Sequence, residues 1–267
     1  MLKNLVIIHM APNKYPIVVD KITGRKRVRS FDVRAASQQY SNIAGTLSGF
    51  AITIVIIIAQ ANNPNIGGLD IVRRNIAATG LLVSFFGFIT SSFVFAVISG
   101  EEELTPKANQ MAFLAGSGFS LSMTFFFWSI ATFLKAFLVD EISTITYKIF
   151  PIFLILNPIY IVSSILDNIH IFDRRKPILR EYLILLIPSV LTIAFSYLSR
   201  FLINTNSEPN LKLFNFLVWL FLIVIIVDNI LSVLFSTLND NYRMNIYLCG
   251  FWILLHSLLI SIVIAFI

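Results

Sequence analysis

Charged side chains are scarce in this chain: Asp, Glu, Lys and Arg together make up 13% of its 267 residues. A soluble domain usually carries about 25%, because its surface must face water. Cysteine is nearly missing. Cys249 stands alone, which excludes an internal disulfide and any Cys-based zinc site. His9, His170 and His256 are scattered, so no metal cluster or haem ligand pair is evident. There is no Walker loop, GxGxxG, HExxH, GxSxG or TVGYG-like filter, and no cofactor or enzymatic constellation is expected. No N-x-S/T acceptor occurs, and Leu5–Ile8, followed by Pro12 and a basic stretch, is too short for a secretory h-region. Tryptophan (3) and tyrosine (8) are few beside 25 phenylalanines, so the aromatics mostly fill apolar space.

What is present is apolar length. Asn42–Gln60 reads NIAGTLSGFAITIVIIIAQ without a charge. About 20 helical residues at 1.5 Å each span the roughly 30 Å hydrocarbon layer of a bilayer. Mean hydropathy is +0.83. The expected fold is all-α, a polytopic membrane helix bundle with seven spans: 42–60, 76–99, 111–138, 149–166, 182–200, 213–237 and 245–267. The third run exceeds a bilayer's need and should tilt or project. Residues 1–41 form a basic N-terminal segment and 42–267 the transmembrane domain. Within the segment, Ile17–Ile22 with Thr23-Gly24 reads as a short strand and turn, and Arg34–Asn42 as a polar helical lead-in.

Basic residues at predicted membrane edges set orientation. With the N-terminus inside, the inner side receives Lys3, Lys14, Lys21, Arg25, Lys26, Arg27, Arg29, Arg34, Lys107, Arg174, Arg175, Lys176, Arg180 and Arg243. The outer side receives Arg73, Arg74, Lys148, Arg200 and Lys212. Seven spans place the N-terminus in the cytoplasm and the C-terminus outside. The net charge of +6 then serves topology, and Arg25–Arg29 additionally suits anionic lipid heads; the partner is the bilayer rather than nucleic acid.

Several residues stand out within the spans. Gly45-xxx-Gly49 and Ala112-xxx-Gly116-xxx-Ser120 place small residues at helical spacing. They serve ordinary helix packing or, alternatively, a tight homo-oligomeric seam around a pore. Asp228 is an acid well inside a span, where a carboxylate costs at least about 2.5–3.5 kcal/mol without a partner. His256 falls at a similar depth on the next helix, so the two can meet. The pair is a structural hydrogen bond or a proton- or cation-handling site, with Asn229 and Asn157 as further polar candidates on the path. Asn157-Pro158 marks a kink, static or hinged. Lys135, near Asp140 and Glu141, can snorkel to the interface, and Glu101–Glu103 reads as a solvated helix end or a cation vestibule.

Residues 40–140 resemble the Orai family of calcium channels, on Leu47-Ser48-Gly49-Phe50-Ala51 after a polar helical approach, followed by a phenylalanine-rich second span and a third span. The resemblance implies a first helix lining the pore of an oligomer. The family's filter glutamate would fall at Ile57 and its basic pore residue at Asn42, so neither carries over, and calcium selectivity is not implied. The family also has four spans. The functional expectation is a small channel or transporter for an ion or small solute, as a homo-oligomer or within a membrane complex. The alternative is a non-catalytic accessory subunit.

Overall fold

Side-chain chemistry at the helix ends sets where each helix starts and stops. The computed structural model describes residues 5–8, 17–20, 26–28, 33–60, 71–101, 105–136, 141–142, 145–146, 161–162, 165–166, 169, 177–202, 211–237 and 244–265. Strands β1 (Leu5–Ile8), β2 (Ile17–Asp20) and β3 (Lys26–Val28) form an antiparallel sheet in that order. The rest of the described chain is helical: α1 Val33–Gln60, α2 Ile71–Ser99, α3 Pro106–Ala136, α4 Leu179–Leu202, α5 Leu211–Ser236 and α6 Ile246–Ala265.

α2 stops at Gly100, whose N–H reaches back to the carbonyls of Ala96 and Val97. α3 restarts with Thr105 as cap, its hydroxyl accepting the N–H of Ala108, and with Pro106 in the first helical position. Glu181 closes the start of α4 by accepting the N–H of Ile178. Asn245 caps α6 by accepting the N–H of Tyr247.

Four of these helices are long and apolar enough to cross a membrane: α1, α2, α3 and, within α5, Phe214–Ser236. Ile246–Ile262 forms a shorter apolar stretch. These helices mark the chain as a membrane protein. Six helices are described where seven spans are expected. The expected fourth span, with Asn157 and Pro158, lies largely outside the described residues. So do Asp140, Glu102 and Glu103. The lead-in Arg34–Asn42 is continuous with the first span, and β2 forms where a strand is expected.

The helices pack α1 on α2, α2 on α3, α3 and α2 on α5, and α4 on α6, with α3 also touching α6. α3 is the central element and is buried along most of its length. Its end bearing Pro106 lies with the start of α1 and the ends of α2 and α5. There Arg34 donates to the carbonyl of Glu101 at 3.2 Å, and Lys107 pairs with Glu101 at 3.8 Å and donates to the carbonyl of Ser236 at 3.3 Å. α6 starts at this same near end, where the Cys249 thiol lies 4.0 Å from Gln110 Oε1. α4 runs parallel to α6, with the Arg180 guanidinium 5.4 Å over the Tyr247 ring.

Two apolar cores result. One holds Met111–Ala115 with Phe88, Phe95, Cys249 and Ile253; the other holds Leu121, Phe125, Phe221, Ile225 and Leu259. Edge-on aromatic contacts consolidate both, such as Phe125–Phe221 at 4.7 Å and Phe88–Phe126 at 5.6 Å.

The α1–α2 contact uses a register of α1 next to the one that Gly45 and Gly49 mark. Ser37, Ala44, Ser48, Ala51 and Ile58 are buried, a repeat of threes and fours that keeps one stripe of α1 against its neighbour. Ser41 and Ser92 lock it by exchanging hydroxyl-to-carbonyl hydrogen bonds of 3.0 and 2.9 Å. Gly49 is not on this stripe: a Cβ built there meets nothing within 4 Å, and one at Gly45 meets only Ser92 Oγ at 3.7 Å. Glycine spacing alone does not say which side of a helix is used, and here the neighbouring alanine–serine register took the contact. The outward side of α1 carries Gln39, Asn42, Thr46, Gly49, Thr53, Ile56 and Gln60, all exposed.

Candidate functional site

Between the two apolar cores lies a polar layer built by α2, α3, α5 and α6. On α5 it follows Ile225 of one core, and on α6 it sits between Ile253 and Leu259, which belong to different cores. Asp228 is wholly buried there, and Asn229 and His256 are each 5% exposed. The structure brings Asp228 and His256 together: Oδ2 lies 2.7 Å from Nε2. The backbones of α5 and α6 scarcely touch, so these side chains join the two helices.

Trp252 completes the arrangement. It precedes His256 by four residues and therefore shares its helix face. Its indole N–H donates to Asp228 Oδ1 at 2.8 Å, and its carbonyl lies 2.8 Å from His256 Nδ1. A carbonyl only accepts, so Nδ1 carries a hydrogen. Two proton arrangements then satisfy the 2.7 Å contact. Either Nε2–H donates to a carboxylate, or a protonated carboxyl donates to Nε2. The first is an ion pair and the second is neutral, and both have zero net charge. The layer thus holds one shared proton without an unbalanced charge, which avoids the several kcal/mol that an isolated buried ion costs.

Asn229 points its amide the other way. Its Nδ2 donates to the carbonyl of Ile225 at 2.8 Å and to Thr90 Oγ1 at 3.2 Å. Thr90 in turn donates to the Phe86 carbonyl at 2.9 Å, so its oxygen is free to accept. Asn229 Oδ1 is buried and has no hydrogen-bond partner. Gly118 of α3 makes room for both α5 side chains. A Cβ there would sit 3.2 Å from Asn229 Nδ2, 3.3 Å from Asp228 Cβ and 3.5 Å from Asp228 Oδ2. One turn further along α5, Ser232 donates to the Met111 carbonyl of α3 at 2.9 Å.

Of the other expected residues, Gly116 and Ser120 are buried in α3. Gly45 and Gly49 stand apart from the layer on α1, and Asn157 lies outside the described residues. Sequence reasoning missed Trp252, although its four-residue offset from His256 was the signal. It also missed Gly118, hidden among equally small neighbours, and Thr90. Among the described residues no group of three or more His, Cys, Asp or Glu side chains forms a metal site. Comparison with family models, characterised proteins and solved structures finds no match to this chain, so the likeness of residues 40–140 to the Orai channels rests on its own sequence.

Proposed function

We propose that this chain is a non-enzymatic membrane transport protein for an ion or small solute, with Asp228 and His256 as the group that handles a proton or cation. The observation that carries the reading is an ionisable pair buried between four helices, with a buried carboxamide oxygen left without a donor on the residue after Asp228. A membrane bundle that needs only a stable core has cheaper apolar solutions, since replacing a buried ion pair with well-packed apolar residues is often neutral or stabilising.

The topology we propose is seven spans, with the N-terminus in the cytoplasm and the C-terminus outside. α3 ends at the far end of the bundle, whereas α4 begins at the near end with α6. A further crossing at 149–166 is part of this proposal, and the opposite positions of these two helix ends agree with it. Arg34, Lys107 and Arg180 gather at the near end, as a cytoplasmic face requires. We also propose a homo-oligomer, in which the exposed row Asn42, Thr46, Gly49 and Thr53 of α1 meets a second copy.

The test is flux. Purified protein in liposomes is expected to move protons or small cations, and Asp228→Asn is expected to remove that flux while the protein stays folded. Retained flux in the folded variant would defeat the assignment of the site. One observation favours the accessory-subunit reading instead. The hydroxyls of Ser84, Ser117, Ser122, Thr124 and Thr132 each donate to a carbonyl four residues back on their own helix, so their hydrogens are spent within that helix. Purification in mild detergent separates the two: an accessory subunit brings a larger partner at fixed stoichiometry.

A further inference from the structure

We infer that the Asp228–His256–Asn229 layer is an exchange site in which one monovalent cation replaces one proton. This rests on the transport reading but reaches further, naming the substrate class and the stoichiometry. The pair holds a single shared proton at zero net charge. Admitting a cation M+ against Asp228 Oδ2 while the proton leaves turns carboxylate plus imidazolium into carboxylate, M+ and neutral imidazole. The Asp228–proton interaction breaks, an oxygen–cation contact forms and the proton goes to solvent. No electrons move, and the net charge stays zero on both sides of the exchange. A divalent ion in the same place would leave an uncompensated positive charge beside the wholly buried Asp228, which selects for the monovalent class.

Asn229 supplies the second observation. Both its N–H donors are used, its residue is 95% buried by its 5% exposure, and its Oδ1 accepts nothing. A buried carbonyl oxygen left without a donor is costly in a finished structural network. Carried by the residue that follows Asp228, it is the kind of oxygen donor a hard cation takes. Gly118 leaves room on α3 for the Asp228 side chain and the Asn229 amide nitrogen, both of which approach the place its missing Cβ would take. Among the residues whose side chains are described, no other charged group enters the layer. Arg34, Glu101, Lys107, Arg180 and Glu181 stand at the near end; Arg73, Arg74 and Lys135 are at the far ends of α2 and α3. Tyr40 and Cys249 face the near core.

The test has an equilibrium arm and a flux arm. Full-length protein in lightly buffered detergent solution is titrated with lithium, sodium or potassium chloride, with choline chloride as control, and released protons are read with a pH dye. At least one of the three salts is expected to release about one proton per chain, and choline none. Asp228→Asn, which keeps the hydrogen-bonding shape, is expected to release none. Asn229→Ala is expected to raise the half-saturating salt concentration roughly tenfold, the loss of one polar contact to a charge. No release from folded wild-type protein with any of the three salts overturns the exchange site. In liposomes, a gradient of the cation that released protons is expected to change lumenal pH at a rate independent of the membrane potential. Cation or proton flux whose rate follows the potential overturns electroneutral exchange and leaves the transport reading standing. Proton release without any flux supports the exchange site and defeats the transport reading.

Discussion

At the scale of single residues, Asp228 satisfies two donors from one helix. Removing the acceptor strands both. Asp228→Leu is expected to cost about 3–5 kcal/mol in a detergent-based unfolding titration, because it leaves a buried imidazole and a half-buried indole N–H without their acceptor. Asp228→Asn keeps an oxygen for Trp252 and an amide for Nε2, so its cost should be clearly smaller. Trp252→Phe deletes one donor to a charged acceptor and is expected to cost about 1.5–3 kcal/mol. Equal costs for the Leu and Asn variants would refute the hydrogen-bonded arrangement. The meeting of Asp228 and His256 was legible because two antiparallel helices bring residues at equal depth together. Trp252 was not, since an indole in an apolar run reads as filler until its nitrogen is seen to face an acid. The unpartnered Asn229 oxygen was also beyond the sequence, because satisfaction of a hydrogen bond is a property of the surroundings and not of the residue.

At the scale of helices, glycine position decides which backbones approach. A Cβ built on Gly250 would lie 2.5 Å from Ile184 Cγ2 and 3.1 Å from the Ile184 carbonyl oxygen. Ile184 is four residues before Pro188, which has no N–H to bond that carbonyl within α4. α6 therefore crosses α4 where the turn lacks one intrahelical bond. Gly250→Leu is expected to push the pair apart and destabilise the fold by about 1–3 kcal/mol, whereas Gly49→Leu, with open space before it, is expected to stay within about 0.5 kcal/mol of wild type as a monomer. An unchanged melting temperature for Gly250→Leu would count against this close crossing. The helical class, four of the apolar spans and the strand at Ile17–Asp20 were readable from hydropathy and turn residues. The side of α1 that packs was not, since Gly45/Gly49 and Ala44/Ser48/Ala51 are neighbouring registers of the same small-residue pattern. Single cysteines at Asn42, Thr46 and Thr53 provide the oligomer test: they are expected to cross-link between copies in native membranes, while one at buried Ala44 is not. Cross-linking at none of the three would show that lipid covers this side.

At the scale of the whole molecule, the proposed topology of N-terminus inside and C-terminus outside gives a direct measurement. A reporter active only in the cytoplasm is expected to be silent at the C-terminus and active at the N-terminus. Activity at both ends would remove one span, and activity at the C-terminus alone would reverse the orientation. The bridge between α5 and α6 also has a consequence in time. Synthesis delivers Asp228 to the bilayer 24 residues before Trp252, the first of its partners, exists. During that interval α5 carries an acid with nothing on α6 to meet it. Its mean hydropathy of 2.7 over the span, the highest of the four long helices, is what allows it to enter alone. The carboxyl is then a marker of unfinished assembly, cancelled when α6 arrives. A nascent chain halted before Trp252 should accordingly be recognised as incomplete by the cell's membrane quality control and cleared faster than one halted after His256.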